Sequence, residues 1–261
     1  MNPVLTAVVM FSGIGLACAV LITVASKLMF VKVDPRVEKL RNCLPGANCG
    51  ACGFSGCDGY VSALVEGQVE TNLCPPGGDE AFEQINEILG LNAGEGIAKM
   101  TATVHCMGDT KTMRNKMVYV GINTCFAAKQ LFGGQGACTF GCVGFGDCVI
   151  VCPSEAICIE DHLARVDPRR CSGCKVCVDI CPMGIISVEA SPVHVAVMCK
   201  NTEKGAVLKD KCLQGCIGCM KCVKECSNEA ITVNESLASI DYSKCVGCKR
   251  CVEVCIKKCI A

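Results

Sequence analysis

The chain has no Trp, three Tyr and eight Phe in 261 residues, so aromatic residues make up 4% of it. Aromatic rings supply much of the buried area of an ordinary core. Something other than a ring-rich core must therefore hold this fold. There is no excess of charge either: 25 Lys and Arg balance 25 Asp and Glu. That leaves no basic footprint for a nucleic acid. No Gly-x-Gly-x-x-Gly opens a helix after a strand, so a dinucleotide or flavin site on this chain is not expected. Hydride chemistry would belong to a partner.

Charge is also missing from residues 3–26, PVLTAVVMFSGIGLACAVLITVAS. About 20 apolar residues suffice to span a bilayer. No Lys or Arg precedes the run, whereas Lys27, Lys32, Arg36, Lys39 and Arg41 follow it. A cleaved signal peptide would need a basic segment first. The positive-inside bias instead gives a single-pass anchor in the inner (cytoplasmic) membrane, with the rest of the chain on the cytoplasmic side.

What the sequence does have is cysteine, 28 in all. A disulfide scaffold scatters its cysteines, and zinc sites show paired Cys-x-x-Cys units. Here the run Cys-x-x-Cys-x-x-Cys-x-x-x-Cys recurs, as in Cys171, Cys174, Cys177 and Cys181, the last followed by Pro182. That spacing is the ligand pattern of two-cluster [4Fe–4S] ferredoxins, in which the fourth Cys serves the other cluster. Thiolates awaiting iron need a reducing compartment.

An earlier group stands alone. Cys49, Cys52, Cys57 and Cys74, set among Gly50, Gly53 and Gly56, form one expected [4Fe–4S] set. Cys43 beside them is a spare thiol or a substitute ligand. Gly59 to Glu66 and Asp79 to Leu89 read as helices, and Asn92 to Gly96 as a linker.

The remainder is a duplication. Adding 74 to Cys125, Cys138, Cys142, Cys148, Cys152, Cys171, Cys174, Cys177 and Cys181 lands on a cysteine every time. Repeats decide architecture. The first copy is expected to use Cys152, Cys171, Cys174 and Cys177 for one cluster and Cys138, Cys142, Cys148 and Cys181 for another. Cys138 enters because Phe145 stands where the second copy has Cys219. The second copy gives Cys216, Cys219, Cys222 and Cys255, then Cys226, Cys245, Cys248 and Cys251. Cys106, Cys125, Cys199 and Cys212 are left over. They could hold a sixth cluster between the copies, or be buried thiols. Cys18, Cys158 and Cys259 are expected to be unliganded, and His105, His162 and His194 to be ordinary surface or strand residues. Short strands are expected at 156–159, 164–166, 231–233 and 239–240.

The fold class that follows is α+β: a transmembrane helix (1–29), a small helical Fe–S domain (30–90), a linker and repeat start (91–124), and two tandem ferredoxin-like modules (125–190 and 191–261). The sequence from Cys49-Gly50 and Cys52-Gly53 through Asn72-Leu73-Cys74-Pro75-Pro76-Gly77-Gly78, after one apolar helix and before ferredoxin runs, resembles the B subunits of Rnf complexes. The resemblance implies a multi-cluster electron-transfer subunit of a membrane ferredoxin:NAD oxidoreductase that exports sodium or protons. It further implies soluble ferredoxin as electron donor and other membrane subunits as partners. Shorter members have one ferredoxin module, and this chain matches the longer ones. A free-standing, membrane-tethered polyferredoxin serving a regulator or another enzyme is the alternative reading.

Overall fold

The computed structural model describes residues 3–28, 34–91, 99–190 and 195–261. The expected linker at Asn92 to Gly96, Lys32, His194 and the boundaries after residues 29 and 190 lie outside them. The chain begins with α1 (Pro3–Leu28), followed by α2 (Pro35–Cys43), α3 (Cys57–Val65) and α4 (Gly78–Leu89). Next come β1 (Met100–Val104), α5 (Cys125–Gln130), α6 (Asp147–Ile150), β2 (Ile157–Glu160), β3 (Leu163–Val166), α7 (Val176–Ile180) and β4 (Ile186–Ala190). The last third holds α8 (Gly205–Leu208), α9 (Lys221–Glu225), β5 (Ile231–Asn234), β6 (Leu237–Ile240) and α10 (Arg250–Glu253).

Helix α1 has 26 residues, about 39 Å of helix at 1.5 Å per residue. Its stretch Val8–Lys27 is long and apolar enough to cross a membrane, and none of it is buried by the rest of the chain. Helices α2, α3 and α4 then pack on one another. Asp34 starts α2 by accepting the Arg36 N–H at 2.8 Å, with Pro35 at the first helical position. Leu40, Leu44, Tyr60, Val61, Leu64 and Ile85 form a small core that reaches Cys74. Tyr60 is its one buried ring: its hydroxyl donates to the Glu70 carbonyl at 3.0 Å and accepts the Leu73 N–H at 3.3 Å. The loop that carries Cys74 is fixed by that pair.

The repeat is visible in the hairpins. β2 pairs β3 with Ile157 opposite Val166, and β5 pairs β6 with Ile231 opposite Ile240, the same register 74 residues on. Gly144 and Gly218 match as well. Each has positive φ, and a Cβ would lie 2.4 Å from the His162 carbonyl oxygen at Gly144 and 2.8 Å from Ser236 Cα at Gly218. Only glycine lets these loops reach the hairpin turns.

Of the expected linker and repeat start, the stretch 99–124 is described. It contains β1, which pairs antiparallel with β4, Val104 opposite Ile186. The second copy repeats the arrangement in shorter form, with Val197 bridged to Ile260. His105 N–H donates to the Ile185 carbonyl and Met198 N–H to the Cys259 carbonyl, both at 2.7 Å. Hence His105 corresponds to Met198, an offset of 93, while everything from Cys138 onward keeps the offset of 74. The first copy carries 19 extra residues between these two points, the difference between those offsets.

Candidate metal centres

All 28 cysteines are free thiols. Four sulfurs ligating one zinc ion, each about 2.3 Å from it, would lie within about 4 Å of one another. Among the described residues no group of three or more His, Cys, Asp or Glu is drawn together for a single ion. The cysteines instead surround spaces. Four cavities are each lined by at least four of them. Such a set suits a compact inorganic group bound by thiolates at its corners.

The first group lies at the helical domain. Cys74 is pushed up to about 11, chiefly by burial and further by the neighbouring Cys52, Cys57 and Cys49. Gly50 and Gly53 have positive φ, and Asn48 Oδ1 accepts the Cys57 N–H at 2.9 Å, so the loop wraps tightly into α3. Cys43 stands apart on α2, its thiol donating to the Lys39 carbonyl at 3.2 Å. In the first copy, Cys177 is pushed up to about 11 by burial and then by Cys174, Cys171 and Cys152. The Ala102 N–H reaches Cys171 at 3.4 Å, so β1 borders this group.

In the second copy, Cys226, Cys245, Cys248 and Cys251 line one cavity. Cys216, Cys219, Cys222 and Cys255 line another, together with Cys259. Cys259 is a buried fifth thiol there, 3.7 Å from Cys255 Sγ. Its hydrogen bond holds Cys216 below the usual thiol range and pushes Cys259 itself above it. The sequence offered no sign of this, because the matching residue of the first copy is Ile185.

Two cavities bring cysteines together in other groups than the expected ones. Cys138 does not join Cys142, Cys148 and Cys181; that cavity is lined by Cys125 instead. The cause is the longer connection in the first copy, which forms α5 with Cys125 in its first turn. Thr124 caps the helix by accepting the Ala127 N–H, and Asp147 accepts the N–H groups of Cys125 and Phe126 at 2.9 and 3.2 Å. Phe145, where the second copy has Cys219, packs with Cys125, Ala128 and Val143 and lies 5.3 Å from the Tyr119 ring. A thiol carried on this helix thus lines the cavity on the side of Phe145. Cys148 in this cavity is pushed up to about 12, first by burial and then by Cys142, Cys125 and Cys181.

The leftover set changes accordingly. Cys106, Cys138, Cys199 and Cys212 line a single cavity where the two copies meet. Cys106 corresponds to Cys199: the Cys142 N–H reaches Cys106 Sγ and the Cys216 N–H reaches Cys199 Sγ, both at 3.4 Å. Cys138 corresponds to Cys212. Every lining residue except Met113 and Leu208 has such a mate, so the cavity has approximate two-fold symmetry and each copy contributes two cysteines. The match of Cys125 to Cys199 at 74 residues is a coincidence of spacing. A signal for the true pairing was present, in Val104-His105-Cys106 and Val197-Met198-Cys199.

His105 is buried rather than at the surface, with Nδ1 2.7 Å from the Val197 carbonyl and Nε2 2.6 Å from Ser187 Oγ. It fastens β1 to the second copy. His162 sits in the β2–β3 turn with positive φ, while Cys158 and Cys18 are exposed.

Comparison with known proteins adds three family matches: an Fe–S cluster family over residues 44–76, a 4Fe-4S binding domain over 164–187 and a 4Fe-4S dicluster domain over 215–259. Among curated relatives, the B subunit of the Na(+)-translocating ferredoxin:NAD(+) oxidoreductase complex of Acetobacterium woodii is 40% identical, over 94% of this chain and 73% of the relative. The B subunit of the ion-translocating oxidoreductase complex of Methanosarcina acetivorans is 37% identical over 92% and 91%. The B subunit of the proton-translocating ferredoxin:NAD(+) oxidoreductase complex of Clostridium ljungdahlii is 37% identical over 93% and 86%.

Proposed function

Because the chain belongs to the B-subunit family of ion-translocating ferredoxin:NAD oxidoreductase complexes, we propose that it is the six-cluster electron-transfer subunit of such a complex, taking electrons from soluble ferredoxin and delivering them to membrane subunits. What supports the cluster number is four cavities that are each lined by at least four cysteines, one of them shared by both copies, together with the neighbouring thiols of Cys49, Cys52, Cys57 and Cys74 and of Cys152, Cys171, Cys174 and Cys177. A [4Fe–4S] cluster supplies one-electron exchange, with a potential set by hydrogen bonds to its sulfurs and by solvent exposure.

This chain's residues do the binding and positioning. Cys49, Cys52, Cys57 and Cys74 hold the group nearest α1 in the chain. Cys125, Cys142, Cys148 and Cys181, with Cys152, Cys171, Cys174 and Cys177, make the first ferredoxin-like module. Cys216, Cys219, Cys222 and Cys255, with Cys226, Cys245, Cys248 and Cys251, make the second, in tandem. Cys106, Cys138, Cys199 and Cys212 join the two. Burial raises the thiols of Cys74, Cys106, Cys142, Cys148, Cys177, Cys199, Cys212, Cys222 and Cys251, so metal loading at these positions releases protons. α1 anchors the chain, and the basic residues after it put the cysteine-rich body on the cytoplasmic side.

The test is iron and sulfide content of anaerobically purified protein, with about 24 irons per chain expected for six clusters. Cys125→Ser and Cys138→Ser should each lose one cluster, and a different one. Loss of the same spectroscopic component in both variants would overturn the two sets proposed for the first copy and the junction. About 20 irons in the wild type would overturn the junction cluster alone.

A further inference from the structure

The junction cavity is nearly symmetric in its cysteines but not in its hydrogen bonds. Gly108 corresponds to Asn201, again 93 residues on. The Gly108 N–H reaches Cys106 at 3.3 Å, and the Asn201 backbone N–H reaches Cys199 in the same way. Only Asn201 has a side chain to add. Its amide Nδ2 lies 3.2 Å from Cys138 Sγ, a thiol of the other copy, and the residue is 1% exposed. At Gly108 even a Cβ would lie close, 3.3 Å from Met113 Cβ.

The amide's orientation is fixed by its neighbours. Asn201 Oδ1 accepts the Glu203 N–H at 2.7 Å, so the nitrogen must face Cys138. The same nitrogen donates to Glu203 Oε2 at 3.1 Å, and Glu203 pairs with Lys211, whose hydrogen bond holds its carboxyl below the usual range. The N–H groups of Ala102, Gly108, Cys142, Ala156 and Cys216 that reach cysteine sulfurs are backbone amides. Asn201 reaches one with a side chain, which mutation can remove without touching the backbone.

We infer that Asn201 is the positioning residue of the junction centre: its side-chain amide orients Cys138 and raises the reduction potential of the cluster held there. The inference rests on the proposed ligand set Cys106, Cys138, Cys199 and Cys212. A donor aimed at a ligand sulfur favours the reduced state, which carries more negative charge on its sulfurs. Removing the donor therefore lowers the midpoint of that centre and leaves the other five in place.

The experiment is an EPR-monitored redox titration of the whole anaerobic protein, with iron counted in the same samples, for wild type, N201A and Asn201→Gln. The expected result for N201A is one component shifted to lower potential with iron unchanged, and a partial return in Asn201→Gln. Loss of four irons in N201A, with the other five midpoints kept and iron restored in Asn201→Gln, also supports the assignment. Full iron with every midpoint unmoved overturns it. So does loss of more than one cluster, which would make Asn201 a general fold residue. A wild type with about 20 irons removes the junction cluster itself, and the iron count separates that failure from failure of the tuning role.

Discussion

Single side chains decide where the thiols stand. Tyr60 is the clearest case outside the cysteines, because its hydroxyl holds two backbone groups of the loop before Cys74. Tyr60→Phe keeps the ring but leaves the Glu70 carbonyl and Leu73 N–H without that partner, at a cost of about 1–3 kcal/mol. The variant should lose the Cys49/Cys52/Cys57/Cys74 cluster faster in air or chelator, measured as bleaching of that component, with the other centres unaffected. Equal lability of all centres would refute the local role. Phe145 gives a second residue-scale prediction. In the second copy Cys219 stands at the matching position, and on the proposed ligand set it takes the part given to Cys125 in the first. Cys125→Ser should lose four irons, and Cys125→Ser with Phe145→Cys should regain them. If the double variant stays at the single variant's iron content, Phe145 does not occupy the place of a ligand.

At the scale of elements, the sequence was informative where a ligand run and its hairpin are contiguous. Cys171 to Cys181, the hairpins near 157–166 and 231–240, and helices α3 and α4 all follow from local spacing. It was uninformative where a proposed ligand comes from an insertion. The extra residues before Cys138 create α5, and the match of Cys125 to Cys199 hid both the insertion and the correspondence of Cys106 to Cys199. Strand β1 was missed for a related reason: MTATV pairs with residues more than 80 positions away, so no nearby turn announces it. The hairpin contacts also yield a prediction. Gly144→Ala and Gly218→Ala each place a Cβ against hairpin backbone at positive φ, costing about 1–3 kcal/mol from backbone strain alone. Both should lower the thermal midpoint of the clustered protein. An unchanged midpoint in either would mean that its loop relaxes freely.

For the whole molecule, the scarcity of rings and the number of thiol-lined spaces make metal and fold interdependent. Chelation under reducing conditions should abolish cooperative unfolding by circular dichroism, because ligand binding and folding are coupled in such domains. A native-like transition in the iron-free chain would contradict this. The N-terminal apolar helix is separable. No residue of the span Val8–Lys27 is buried by the remainder, so a chain starting at Val31 should be soluble and keep its full iron content. Protease added outside intact cells should leave the cysteine-rich body uncut; cleavage there would reverse the proposed sidedness.

The junction cavity takes two cysteines from each copy, so each copy owns only half a site. Split-chain complementation follows from that. If a specific protease site is built into residues 191–194 and cut in the loaded protein, the fragments should stay together on a sizing column. Cys106 and Cys138 would lie on one fragment, with Cys199 and Cys212 on the other. Expressed separately, the two fragments together should carry about four irons fewer than the intact chain, the iron of the common centre. Mixing them with iron and sulfide should restore the missing four irons and the complex in the same step, so that assembly of the two fragments can be followed by the colour of a single centre.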